Sequence, residues 1–168
     1  MQQLCTKGDN KRMIRKAGCD DLCRIAEIYI FNNRINFYPV FKDETYSFGE
    51  LQAVTLADNY FSKKEILQNI SVYVSENGII KGFIQMNGTE ICKLYTEPVF
   101  QSEGIGGALL EHAVEEFNAD YLWALEKNTR AISFYQRHGF SQTGERKLEE
   151  GTSEYLIKLK KPSVERIR

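Results

Sequence analysis

The chain has 168 residues, 42% of them hydrophobic, which is enough for one domain with a core of its own. Its 22 Lys and Arg stand against 23 Asp and Glu, a net charge of -1. That balance leaves no global field to hold phosphate backbones or anionic lipid, so neither nucleic acid nor a membrane is expected as a main partner. The apolar runs fall well short of the roughly 20 residues of a bilayer span, and MQQLCTKGDNKR has no apolar signal core, which predicts a cytoplasmic protein. Cysteines at 5, 19, 23 and 92 suit reduced thiols better than a disulfide framework. Cys19 and Cys23 lie four apart on a predicted helix with no histidine near them in sequence, so they read as half-buried thiols and no metal is expected.

After a polar segment, 1–11, RMIRKA alternates as a short first strand, and GCDD offers Asp20 as the cap of the helix LCRIAEIYIF. Between Asn32 and Lys64 many aromatic residues stand among polar ones, and YSFGELQAVTLADNYF reads as one interrupted helix. SVYVSE, IIKGFIQM and TEICKLYT are strand-like runs joined by Asn77-Gly78 and Asn87-Gly88, the dipeptide that best fits tight hairpins, so three antiparallel strands are expected in succession. In GIGGALLEHAVEEF, Ile105, Leu109, Ala113 and Phe117 recur at every fourth position, and Leu110 and Val114 widen the stripe into the apolar face of a helix. YLWAL predicts a buried strand, and NTRAISFYQRHGF an Asn-capped helix ended by Gly139. FSQTGERKLEE and TSEYLIKLK are two further strands around Gly151, followed by a frayed tail over 161–168. With no repeat, linker or low-complexity tract, residues 1–168 form a single predicted domain of the α/β (α+β) class, a mixed sheet with helices on its faces.

The most informative segment is EPVFQSEGIGGALL, whose glycines fall where a strand must turn sharply into a helix. Glycines there let peptide N–H groups approach a ligand, and the first turn of a helix carries free N–H groups at its positive end, so the turn suits a pyrophosphate. Gly104, Gly106 and Gly107 do not make the dinucleotide fingerprint, and no Gly-Lys-Ser/Thr follows as a triphosphate loop requires. Close packing of helix on sheet is the plain structural alternative. QSEGIGG after an LYTEP strand, followed by NTRAISFYQRHGF, resembles the GNAT superfamily of acetyl-CoA-dependent N-acetyltransferases over roughly residues 72 to 159. Gln101, Gly104 and Gly106 match the family's pyrophosphate turn; Asn128, Ala131, Phe134, Tyr135, Gly139 and Phe140 match a second motif. The resemblance implies a mostly antiparallel sheet of about six or seven strands flanked by about four helices, with two central strands splayed to admit pantetheine.

The resemblance also implies site roles. Leu94, Tyr95 and Thr96 lie on the strand whose backbone pairs with pantetheine, with the N–H of Tyr95 facing the thioester oxygen. Gln101, Ser102, Gly104 and Ile105, then Gly106, Gly107 and Ala108, line the pyrophosphate turn mainly through N–H groups, and Asn128 and Ala131 flank the cofactor's other side. Acetyl transfer to an amine requires a neutral amine, support for an oxyanion and a proton for the departing thiolate. Tyr135 is the candidate acid, against a role as a packed aromatic. Glu90 is the candidate base, with Glu97 and Glu126 as competing carboxylates and a solvated surface role as the alternative for each. A thiolate relay through Cys92 finds nothing basic predictably beside it, so direct attack in a ternary complex is expected. His112 and His138 read as structural or solvent-facing.

The expected function is transfer of the acetyl group of acetyl-CoA to a primary amine of a small molecule or peptide, without a metal. Residues 30 to 65, with their aromatics, are expected either to wall the amine's pocket or simply to bury a pair of helices. The alternative of another class is a non-catalytic acyl-CoA-binding sensor or interaction module of the same fold, with an exposed edge strand available for a homodimer.

Overall fold

The computed structural model describes residues 13–162; the segment 1–11, Cys5 and residues 163–168 of the tail lie outside them. β1 (Ile14–Lys16) leads through a single 3-10 turn, Cys19–Asp21, into α1 (Leu22–Asn36). The cap expected of Asp20 is corrected here. Asp20 is exposed, and it is the Asp21 carboxylate that folds back, accepting from the Gly18 N–H at 2.8 Å and from Arg15 at 3.0 Å. Arg15 holds that carboxyl below its ordinary pKa, against the opposing effect of burial. Cys19 and Cys23 are both exposed rather than half-buried.

After α2 (Tyr38–Phe41), the interrupted helix expected over 46–61 takes the form of a π-helical segment Thr45–Glu50 and, after a break, α3 (Ala53–Leu56) running directly into a second π-helical segment Ala57–Phe61. The break falls at Leu51 and Gln52, where the backbone extends (Gln52 φ -114, ψ 139) and Leu51 turns inward to 4% exposure. Arg34 of α1 fastens this segment, its Nε donating to Ser47 O at 2.9 Å. α4 (Lys64–Leu67) then leads into β2 (Ile70–Val74), β3 (Ile80–Asn87) and β4 (Glu90–Thr96). These three strands pair antiparallel, and the Asn-Gly turns fall where expected, with Gly78 at φ 77 and Gly88 at φ 59.

α5 (Ile105–Phe117), β5 (Tyr121–Leu125), α6 (Thr129–Arg137), β6 (Ser141–Leu148) and β7 (Tyr155–Lys160) complete the described chain. The seven strands are ordered β1-β2-β3-β4-β5-β7-β6 and all pairs are antiparallel except β4 with β5. A parallel pair needs a crossover connection, and α5 supplies it. Both faces of the central strands are covered, which is why IIKGFIQM is almost continuously apolar. On one face Ile84, Met86 and Ile91 pack against Leu109 of α5 and Ile132 and Tyr135 of α6. On the other, Val72 and Phe83 pack against Ile25 and Ile28 of α1 and against Phe61. Asn128 caps α6, its Oδ1 accepting from the Ala131 N–H at 3.1 Å, and Gly139 at φ 87 ends that helix as expected.

Candidate active site

β4 and β5 pair only at Glu90 with Tyr121 and Ile91 with Leu122, and then diverge. The cause lies on the other edge of β4. Opposite β3, Gln85 faces Lys93 and Met86 faces Ile91, so Cys92 is an extra residue, a bulge that bends the strand away from β5. The bulge also resets the alternation of side chains. Ile91 packs on the α5 and α6 face, while Lys93 lies on the opposite face against Tyr60. Beyond it a cavity of about 1150 Å³ opens between the two strands, bounded by α1, the start of α5 and α6.

The glycine turn forms one end of this cavity. Ser102 (φ 68) and Gly104 (φ 82) are both left-handed, and the first bond of α5 runs from Ala108 N to Gly104 O at 3.0 Å. The N–H groups of Ile105, Gly106 and Gly107 therefore have no acceptor within the helix, and these residues line the cavity at the positive end of the helix dipole. Ala108, expected to line the turn through its N–H, instead spends that group on Gly104 O and packs its methyl against the core. A Cβ added at Gly104 would meet nothing within 4 Å, so that glycine serves the backbone conformation alone. At Gly106 it would meet the Phe134 ring at 3.4 Å, and at Gly107 it would meet His138 Nε2 at 3.1 Å, so these two also allow α6 to approach. Anion cradle and close packing are thus both present, on different glycines of one turn.

The backbone of β4 corrects one assignment. Glu97 N donates to Lys81 O at 2.8 Å across to β3. In an antiparallel ladder alternate residues bond to the same neighbour, so Tyr95, two positions back and opposite Phe83, points its N–H at β3 and not at the cavity. Leu94 and Thr96 present their peptide groups to the side from which β5 has withdrawn. Asn32, a buried polar residue of α1 that sequence reasoning passed over, donates to Thr96 O at 3.0 Å, and Gln101 Nε2 reaches Asn32 Oδ1 at 3.4 Å, which ties α1 to the glycine turn.

Tyr135 lines the cavity from α6 at 7% exposure, and its hydroxyl has no hydrogen-bond partner among the described residues. Burial pushes its phenol well above the ordinary range, as it does those of Tyr95 and Tyr29, so all three stay protonated. Glu90 stands at the closed end, where the two strands still pair, and accepts from the Tyr121 hydroxyl at 3.1 Å. Glu97 is ion-paired with Arg24 at 2.8 Å and Glu126 with Arg146 at 2.8 Å. Burial, and then Glu90, push the Cys92 thiol up. His112 lies 3.1 Å from Ser71. His138, expected to be structural or solvent-facing, bonds Phe134 O at 2.8 Å through Nδ1 and lines the cavity beside Gly107. Of the aromatic segment, Phe37, Tyr38, Phe41 and Tyr46 line the cavity, together with Tyr29, Lys93 and Trp123.

A mostly antiparallel sheet, split at its one parallel pair beside a glycine-opened helix, defines the GNAT fold class. Residues 68–142 match the family described as acetyltransferase (GNAT) domain. It is 35% identical over 63 residues to the peptidyl-lysine N-acetyltransferase YjaB of Salmonella typhimurium, a match covering 38% of this chain and 43% of that one, so less than half of the relative's length. The solution structure of apo-form YjaB from Escherichia coli superposes with a TM-score of 0.65 at 23% identity, over 88% of this chain and 95% of that one. A PaiA N-acetyltransferase from Thermoplasma acidophilum in complex with coenzyme A does so at 0.63 and 20% identity, over 88% and 97%. At these identities the two structures are alike in fold.

Proposed function

We propose that the chain is an acetyl-CoA-dependent N-acetyltransferase that passes the acetyl group directly to a primary amine of a small molecule or peptide in a ternary complex. The observation that carries this reading is the loss of β4–β5 pairing after Ile91 and Leu122, which opens a cavity running to three unbonded N–H groups at the start of α5. A pyrophosphate fits those groups, and an extended amide chain fits the peptide groups that β4 presents at Leu94 and Thr96. The names of the relatives, peptidyl-lysine N-acetyltransferase for YjaB and a coenzyme A complex for PaiA, agree with that assignment.

Acetyl-CoA, when bound, supplies an activated thioester. The N–H of Leu94 or of Thr96, rather than that of Tyr95, is the backbone donor available to its carbonyl oxygen. Tyr135 holds its proton on Oη, and the burial that raises its pKa makes its contribution a hydrogen bond to the leaving sulfur more than a completed transfer. Glu90, bonded to Tyr121 at the closed end, is retained as the candidate base, acting through water. The raised thiol of Cys92 disfavours a thiolate relay and supports direct transfer.

Calorimetric titration with acetyl-CoA, beside desulfo-CoA and ATP, tests the cofactor assignment. Selective binding of acetyl-CoA with amine-dependent CoA release is the expected result. Binding with no thiol release above background would replace the enzyme by an acyl-CoA-binding module, and no binding would remove the assignment altogether.

A further inference from the structure

We infer that the acceptor is a primary amine that also carries a carboxylate, and that Lys93 binds this carboxylate. The inference rests on the acetyl-transfer reading above and names the acceptor class of the same site. Lys93 follows the Cys92 bulge, and the altered register turns it to the α1 side of the sheet, where it lines the cavity. Its ammonium donates to Tyr60 Oη at 3.0 Å and lies over the Tyr60 and Tyr29 rings at 4.8 and 5.5 Å from their centroids. An ammonium has three donors, and this is the one hydrogen bond it makes among the described residues. No carboxylate of those residues lies within 4.0 Å of it.

Among the described residues, none of the acids that line the cavity reaches Lys93 within 4.0 Å. Glu90 accepts from Tyr121 at 3.1 Å, Glu154 is paired with Lys127 at 2.7 Å, and Asp43 accepts from the Tyr46 N–H at 2.9 Å. Glu149 and Glu150 stand on the β6–β7 turn, beside the end of β5, at the open end of the cavity. From the opposite bank Lys147 lies over the Trp123 ring at 4.2 Å, also with no carboxylate partner among the described residues. The wall immediately around the Lys93 ammonium is therefore aromatic, and its charge is left for a ligand. A fixed positive charge there repels a second ammonium and attracts an anion, and it favours the neutral, nucleophilic form of an amine held beside it. A molecule of amino-acid size meets all of these features, its carboxylate on Lys93 and its side chain against Tyr29, Tyr46 or Trp123.

The test uses matched pairs that differ only by the carboxylate: phenylalanine with 2-phenylethylamine, methionine with 3-(methylthio)propylamine, and lysine with cadaverine, beside a lysine-containing peptide. CoA release is followed with the wild-type chain, Lys93→Met and Lys93→Arg. In at least one pair the wild type should prefer the amino acid in kcat/KM by about tenfold or more. Lys93→Met should collapse that ratio toward one, mainly by raising KM for the amino acid about 10- to 100-fold, and Lys93→Arg should keep much of it. Acetyl-CoA affinity, measured by calorimetry on each variant, reports whether Lys93→Met has folded, and if it has not, the Arg variant and the wild-type ratios decide. Preference for the decarboxylated amines or the peptide over every amino acid would overturn the inference and leave the acetyl-transfer reading standing, as would an unchanged ratio in folded Lys93→Met. A wild-type chain that binds no acetyl-CoA would overturn both.

Discussion

Replacing Gly82 by alanine should loosen the whole cofactor side of the molecule. Gly82 is buried in β3, and a Cβ there would lie 2.9 Å from Tyr95 O, 3.1 Å from Ile105 Cγ2 and 3.2 Å from Leu109 Cδ1. The first contact is with the main chain of β4 and has no rotamer to escape into, and the other two are with α5 side chains that are 2% and 0% exposed. β3, β4 and α5 must therefore separate by a few tenths of an ångström. Overpacking of this kind costs about 1–3 kcal/mol. In a domain of this size each kcal/mol moves Tm by about 2–4 °C, so the expected fall is about 2–12 °C. Because Ile105 opens the helix at the glycine turn and Tyr95 lies on the bent strand, acetyl-CoA affinity should fall with it. Gly49→Ala is the control: a Cβ there meets nothing within 4 Å, and the change should stay within about 0.5 kcal/mol. Scanning calorimetry and acetyl-CoA titration of both variants give the comparison. A Gly82→Ala chain that melts within about 1 °C of wild type would refute the packing argument.

Gly106→Trp places an indole where even a Cβ meets the Phe134 ring at 3.4 Å, and it should weaken acetyl-CoA binding; unchanged affinity in a folded variant would remove the turn from the cofactor site. Tyr135→Phe should lower kcat by at least about tenfold with little change in acetyl-CoA affinity, while thermal stability holds or rises because the lost hydroxyl has no partner among the described residues. Wild-type turnover in that variant would return Tyr135 to packing. The folded-state pKa of Asp21 is depressed, so its contribution to stability is present above the unfolded value near 3.9 and is lost as pH falls through the lower folded value. Over a Tm series from about pH 7 down to pH 3, Asp21→Asn should lose less stability at the acid end than wild type, and an equal loss would mean that Arg15 and Gly18 do not act on this group.

What the sequence determined by itself is local in origin. The apolar stripe of α5, the positive-φ glycines of the two hairpins, the Asn128 cap and the Gly139 stop all depend on residues within a turn or two of one another, so their chemistry is legible in order along the chain. The glycine turn was legible for the same reason, as was the overall class of sheet, whereas Tyr135 was singled out only through the resemblance of its motif to a known family. Tertiary structure decided whatever depends on register between strands. The Cys92 bulge exists only relative to β3, yet it splays β4 from β5 and turns Lys93 to the other face. The direction of the Tyr95 N–H is set by Lys81 and Phe83 across the ladder, and the Ala108 N–H is spoken for because α5 begins just after Gly104. The interruption expected within 46–61 is placed at Leu51 and Gln52, where Leu51 is drawn inward. Lys93, Trp123 and Lys147 come from three separate strands, and no spacing along the chain announces that they share one cavity. Pairing is a property of two segments at once, and a one-residue slip in it reverses every side chain beyond, which is why these features appear only when the strands are brought together.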